Sequence, residues 1–239
     1  MGGNLVGIYI HGSIAFGCFN SERSDLDIIT VVHAAISTAD KLRLLNSIRD
    51  AEKAAPEKGI EISFVLLDDC LHFRYPTPYQ LHYSPMWREI SITNPMVMCS
   101  DELKTDKDLA AHFSVIRYCG IVFCGKPITQ VFGPVPAANY LDSLLYDVGD
   151  SEQNVCDQPV STVLNLCRVL AYLQTGKILS KKQGGIEALE QVESDFHPII
   201  RHALVDYEGH SRLSETYFEQ NVPFCRYMLK RIERLIEKR

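Results

Sequence analysis

The first half of the chain alternates short apolar runs with longer mixed stretches, and the second half repeats at helical spacing almost throughout. Residues 5–10, Leu-Val-Gly-Ile-Tyr-Ile, form an apolar run of strand length. Residues 26–32, rich in Ile, Val and Thr, predict a second strand. Residues 34–55 predict a helix, capped by Ser37 or Thr38, with Leu42, Leu45 and Ile48 on its apolar side. A Pro-to-Gly segment at 56–59 ends it. Residues 59–67 predict a third strand in which Glu61, Ser63 and Val65 share one face, up to Asp68 and Asp69. The order strand, short helix, strand, helix, strand predicts an α/β unit around a small mixed sheet. Residues 72–87 carry Phe73, Tyr75, Tyr79, Tyr83 and Trp87 among prolines and read as irregular, either packed on their own rings or forming a wall for a ring-shaped ligand. Residues 106–125 read as one helix with Leu109, Phe113, Ile116 and Cys119 on its apolar side.

The Gly-Pro-Val-Pro segment at 133–136 interrupts this pattern and predicts a domain junction, giving domains 1–136 and 137–239. Beyond it the helices fall at 137–148, 159–175, 185–194, 197–207 and 212–238. Pro159 opens the second of these and Gly176 stops it. Short connections suit an antiparallel bundle. The fold class is therefore α+β: a small mixed sheet with helices, followed by an all-helical domain. The basic end, 230–239, suits the negative end of a terminal helix dipole.

Composition narrows the function classes. With 239 residues, 46% hydrophobic and 23% charged, the chain is ordinary for a soluble globular protein. Its net charge of −6 argues against a nucleic-acid partner and suits a cationic substrate. The eight cysteines show no C-x-x-C pair, so they read as reduced thiols rather than a zinc site or a disulfide framework. No apolar run is long enough to span a bilayer, and no signal peptide is evident. These features predict a cytoplasmic monomer with no membrane partner.

The chemistry concentrates in residues 8–32. Gly12 and Ser13 follow the first strand; Gly12 can adopt backbone conformations closed to other residues and admit a phosphate, and Ser13 adds a hydroxyl donor. Asp25 and Asp27, two apart, place both carboxylates on one face of the second strand. Such a pair repels itself unless a cation lies between, and a divalent metal with oxygen ligands is the usual solution. A phosphate cradle beside a metal-holding Asp-x-Asp points to Mg2+-nucleotide chemistry.

These two motifs resemble the nucleotidyltransferase superfamily, whose signature is Gly-Ser, a gap of about ten residues and Asp-x-Asp. Three further stretches, Gly-Ile-Glu-Ile-Ser-Phe-Val-Leu-Leu-Asp-Asp at 59–69, Phe-Arg-Tyr-Pro at 73–76 and Leu-Asn-Leu-Cys-Arg-Val-Leu-Ala-Tyr-Leu-Gln-Thr-Gly-Lys-Ile-Leu-Ser-Lys at 164–181, resemble the aminoglycoside adenylyltransferases that modify streptomycin and spectinomycin. The resemblance implies that residues 1–136 are a nucleotidyltransferase domain and that ATP is the co-substrate. It implies that Asp25 and Asp27 hold Mg2+, that Gly12, Ser13 and Ser24 touch phosphates, and that Glu61 is the general base on the accepting hydroxyl. Glu61 as only a third metal ligand is the alternative. Asp108, Arg168 and Lys181 match further nucleotide-binding positions, the last two from a helical domain whose closure completes the site. The bland alternatives are a helix-opening acid at Asp108 and a solvated lysine at Lys181.

The family's streptomycin-binding members carry a Trp and acidic residues at the antibiotic. The matching positions here are Met86, with Trp87 adjacent, and Asn154 and Gln158, with Asp157 next to the latter. A guanidino sugar loses charge partners there, so a spectinomycin-like acceptor is expected ahead of streptomycin. Transfer to a partner protein or another amino sugar, and a non-enzymatic nucleotide sensor, are the competing readings. The intact set Asp25, Asp27 and Glu61 weighs against a sensor.

Overall fold

The computed structural model describes residues 2–209 and 218–238. The strands are β1 (Leu5–Ile10), β2 (Leu26–Val32), β3 (Ile60–Leu66), β4 (Thr77–Tyr79), β5 (Leu81–Tyr83), β6 (Lys104–Asp106) and β7 (Ile121–Gly125). The helices are α1 (Gly12–Ala15), α2 (Thr38–Glu52), α3 (Leu67–Leu71), α4 (Arg88–Thr93), α5 (Met96–Cys99), α6 (Leu109–Cys119), α7 (Ala137–Val148), α8 (Ser151–Asn154), α9 (Pro159–Thr175), α10 (Lys181–Ala188), α11 (His197–Tyr207) and α12 (Phe218–Ile236). Two compact units divide within α7, at Ser143/Leu144, a few residues beyond the Pro-rich segment at 133–136.

The first unit is built on a mixed sheet of order β5-β3-β2-β1-β7. The pair β2–β3 is parallel, with α2 as its crossover; the other pairs are antiparallel. Strand alternation sends β2 and β3 side chains to two cores. Ile29, Val31 and Val65 pack with Tyr9 and with Leu109, Phe113 and Ile116 of α6. Val32, Ile60, Ile62 and Phe64 pack with Leu45 and Ile48 of α2 and with Leu81 and Tyr83 of β5. Ser37 is the N-cap of α2, its hydroxyl accepting from the Asp40 N–H at 3.2 Å.

Two sequence expectations are corrected here. Residues 106–125 are not one helix: α6 stops at Cys119, and Ile121–Gly125 form β7, which pairs antiparallel with β1 at the sheet edge. The Ile-Val-Phe run after Gly120 has strand propensity, and the open edge of β1 decides its conformation. Residues 72–87 are not irregular throughout, because β5 joins the main sheet and β4 pairs with β6. Their rings are mostly structural. Tyr83 is fully buried, Phe73 and Tyr79 pack on the α6-side core, and Trp87 packs on the α2-side core.

In the second unit α9 is the central helix, buried along most of its length, and α10, α11 and α12 pack against it. Gly176, in the left-handed conformation at φ 69°, ends α9 as expected. The helix expected at 185–194 instead begins at Lys181, because Ser180 and Gln183 form a reciprocal capping box. Gly184 lets α10 lie directly on α9: a Cβ there would come 2.6 Å from the Arg168 Cα. The expected helix 212–238 is seen as Phe218–Ile236, and its first residues, 212–217, lie outside the described residues. All eight cysteines are free thiols; Cys70, Cys99, Cys167 and Cys225 are buried, whereas Cys119 and Cys124 are only partly so. Among the described residues no helix is long and apolar enough to cross a membrane.

Candidate active site

Four chain segments meet at one end of the sheet in the first unit. β1 runs into the α1 turn, β2 and β3 begin beside it, and α6 covers the face above. Because β1 is antiparallel to β2, with Ile10 opposite Ile28, the end of β1 lies at the start of β2. Because β2 and β3 are parallel, with Asp27 opposite Glu61, both strands present their first residues there. Asp27 shares its face with Ile29 and Val31, and Glu61 shares its face with Ser63 and Val65; this is the α6 side of the sheet. One carboxylate oxygen from each of Asp25, Asp27 and Glu61 falls within 4.8 Å of the others. Three acidic groups so close, all offering hard oxygen ligands, suit a divalent cation such as Mg2+.

The Gly-Ser turn closes the other side. Gly12 has φ 57°, and a Cβ at that position would lie 1.7 Å from Asp27 Oδ2, so only glycine fits against this carboxylate. The His11 N–H donates to the Asp27 carbonyl at 3.1 Å, tying the turn to β2. Ser13 Oγ is buried with no hydrogen-bond partner, a group that calls for an acceptor from outside the chain. Ser24 is buried, and its hydroxyl accepts from the Asn20 N–H at 3.1 Å, which holds the loop before Asp25. Asp108 occupies the N-cap position of α6 without a side-chain cap hydrogen bond, and its own N–H donates to Asp106 Oδ1 at 2.9 Å.

Three histidines that the sequence reading did not select line the same region. His112 lies one turn after Asp108 on α6, and its Nε2 is 3.7 Å from Glu61 Oε1. The buried His11 ring packs on it with centroids 4.6 Å apart. Burial pushes His11 well below the ordinary histidine range, and the neighbouring His112 pushes it further. On β5, His82 pairs with Ser63 and its Nδ1 lies 2.8 Å from the Ser63 hydroxyl. Burial lowers its pKa, Asp106 opposes that shift and His112 adds to it. Only His11, adjacent to Gly12, carried a sequence signal for membership of this site. His82 and His112 arrive through the β3–β5 pairing and the packing of α6.

The remaining expected residues belong to other elements. In the second unit, Arg168 on α9 donates from Nη2 to Asp147 Oδ2 at 3.1 Å, and its Nε is buried without a partner. Lys181 Nζ donates to Ser161 Oγ at 2.9 Å, so it is not a free solvated lysine. Ser161 and Arg168 are seven residues apart on α9 and therefore share a stripe, which places two cations along one side of that helix. Lys182 is separately paired with Glu208. Asn154, the last residue of α8, and Gln158, just before α9, are exposed. In the first unit Met86 is 84% exposed, whereas Trp87 is partly buried against the α2-side core.

Residues 130–231 match the family described as aminoglycoside adenylyltransferase, C-terminal domain. An aminoglycoside (3'') (9) adenylyltransferase of Klebsiella pneumoniae is 22% identical over 240 residues, covering 98% of this chain and 90% of that protein. A spectinomycin 9-adenylyltransferase of Enterococcus faecalis is 22% identical over 211 residues, covering 86% and 81%. Among solved structures, the enterococcal spectinomycin adenyltransferase AAD(9), crystallised with ATP and spectinomycin, superposes with a TM-score of 0.84 at 20% identity, covering 96% of this chain and 92% of that one. The chain thus resembles the aminoglycoside adenylyltransferases over nearly its whole length, and the family model matches it at residues 130–231.

Proposed function

We propose that this chain is a nucleotidyltransferase that transfers AMP from ATP to a hydroxyl of an amino-sugar or aminocyclitol antibiotic and releases pyrophosphate. The observation that carries this reading is the convergence of Asp25, Asp27 and Glu61 beside the Gly12–Ser13 turn. The relatives named for this activity match 98% and 86% of the chain.

Asp25 and Asp27 would hold Mg2+, with Glu61 as a third ligand or as the base. When bound, the ion offsets charge on the α-phosphoryl group and on the departing pyrophosphate. The chain's own groups account for the rest. The unpartnered Ser13 hydroxyl and the N–H groups opening α1 donate to phosphate oxygens. Glu61 takes the proton of the accepting hydroxyl as that oxygen attacks the α-phosphorus and the bond to the β-phosphate oxygen breaks. Asp108 orients the nucleotide from the start of α6, and the resemblance gives Arg168 and Lys181 nucleotide-binding roles as well. A cationic acceptor suits the net charge of −6. By the resemblance, Met86, Asn154 and Gln158 match positions where streptomycin-binding members have a Trp and acids, which favours spectinomycin or a similar aminocyclitol.

Pyrophosphate release from ATP and Mg2+ against a panel of aminoglycosides and spectinomycin tests this. Release with spectinomycin and not with streptomycin is expected. Silence across the whole panel from protein that binds ATP would overturn the small-molecule acceptor and redirect the search to a protein acceptor.

A further inference from the structure

The carboxylate triad accounts for one side of Glu61; α6 supplies the other. His112 Nε2 stands 3.7 Å from Glu61 Oε1, just beyond hydrogen-bond range and within contact after a small rotation of either side chain. A carboxylate can only accept, so the nitrogen facing it is the one that carries the proton. The other ring nitrogen, Nδ1, is buried with no partner, which is tolerable for a bare lone pair and costly for an N–H. The tautomer is thereby set by the packing. The ring is held in place as well: Phe113 next to it is locked in the core, and the buried His11 ring lies 4.6 Å away.

We infer that His112 is a positioning residue for Glu61: its Nε2–H binds Oε1 and so turns the carboxylate toward Asp25 and Asp27. A glutamate carboxylate on a strand otherwise has two soft side-chain torsions and a broad terminal one to settle. Fixing one oxygen from behind leaves the second with a defined direction, whether it then meets a metal ion or the acceptor's proton. Second partners of this kind are worth about 10–100-fold in metal affinity or activity. This inference rests on the proposed function only for its kinetic consequences; the contact itself is independent of what the enzyme modifies.

The test has a binding arm, a kinetic arm and a spectroscopic arm. In the binding arm, Mn2+ is titrated into the wild type, His112→Leu and His112→Gln. Leucine should weaken Mn2+ binding about 10–100-fold, and glutamine, which keeps an N–H at the Nε2 position, should stay within about threefold of the wild type. In a Glu61→Gln background, His112→Leu should cost nothing further. The kinetic counterpart is a fall in kcat for His112→Leu with the KM for ATP little changed. In the spectroscopic arm, the ring 15N resonances of His112 are recorded without metal in the wild type and in Glu61→Gln. They should report the Nε2–H tautomer and shift on the Glu61 substitution, while those of the partly exposed His202 stay put.

Unchanged Mn2+ affinity in His112→Leu, a glutamine variant as weak as the leucine variant, or His112 resonances indifferent to Glu61→Gln would each overturn the inference. The two failures separate cleanly. Wild type that turns over no acceptor fails the function and leaves the resonance test to decide the contact. Resonances that ignore Glu61 fail the contact and leave the function standing.

Discussion

At the scale of single residues, the site stands on a few atoms with little room to change. Asp27→Ala removes one of three oxygens gathered within 4.8 Å, and pyrophosphate release should fall at least about a hundredfold, as when one stabilising group is removed from a developing charge. Glu61→Gln keeps shape and loses the base. A fall of about 10²–10⁴ in kcat with Mg2+ dependence retained assigns Glu61 as the general base, whereas fast transfer with altered Mg2+ dependence assigns it as a ligand alone. Gly12→Ala puts a methyl group into Asp27 Oδ2 and should abolish ATP binding in equilibrium titration while leaving the helical unit's circular dichroism intact. Gly12, Ser13, Asp25, Asp27 and Glu61 could be read from the chain because short strands of known phase place side chains by parity. His82 and His112 could not, because no spacing relation links them to Glu61.

Elements show where local signals hold and where neighbours overrule them. The strands β1 and β2 and the helices α7, α9 and α11 have the bounds their patterns predict. The segment after Cys119 does not, because its fate depends on the free edge of β1, which ends 111 residues earlier in the chain (Ile10 against Ile121). The start of α10 was written in Ser180-x-x-Gln183, but Gly184 and Gly185 mask it, since glycine weakens an isolated helix. Ser180→Ala should therefore cost about 1 kcal/mol in denaturant unfolding, and Gly184→Val should cost more by forcing α10 off α9. Arg88 and Glu52 give a parallel case between α4 and α2. Burial raises the Glu52 pKa, but hydrogen bonds from Arg88 and from Tyr83 outweigh it and hold the carboxyl below its usual range. Its stabilising effect is present above the ordinary carboxylate pKa and is lost as the pH falls through the depressed value. Arg88→Ala should lower the unfolding free energy by about 1–3 kcal/mol at neutral pH, with a smaller loss once Glu52 is protonated.

For the whole molecule, stability and ligand binding are linked through the same groups. His11 is buried and neutral, so below a pH of about 6.5 the unfolded chain takes up a proton that the folded chain refuses. Its contribution is complete above that pH and declines as the pH falls, and His11→Phe should flatten this dependence in a pH series of urea unfolding curves. Ligands that bind only the folded state raise Tm by mass action. Mg2+ with a non-hydrolysable ATP analogue should therefore raise the melting temperature of the wild type and not that of Asp27→Ala. Taken by itself, the sequence determined the α+β order, the Gly12–Ser13 turn and the three carboxylates, because these depend on residue type and on periods of two and 3.6 that any short segment carries within itself. Tertiary structure alone decided that β7 completes the sheet, that the aromatic segment is mostly core, and that His112, with the His11 ring packed on it, stands beside Glu61. Those outcomes turn on which surfaces meet, and the meeting residues lie far apart along the chain.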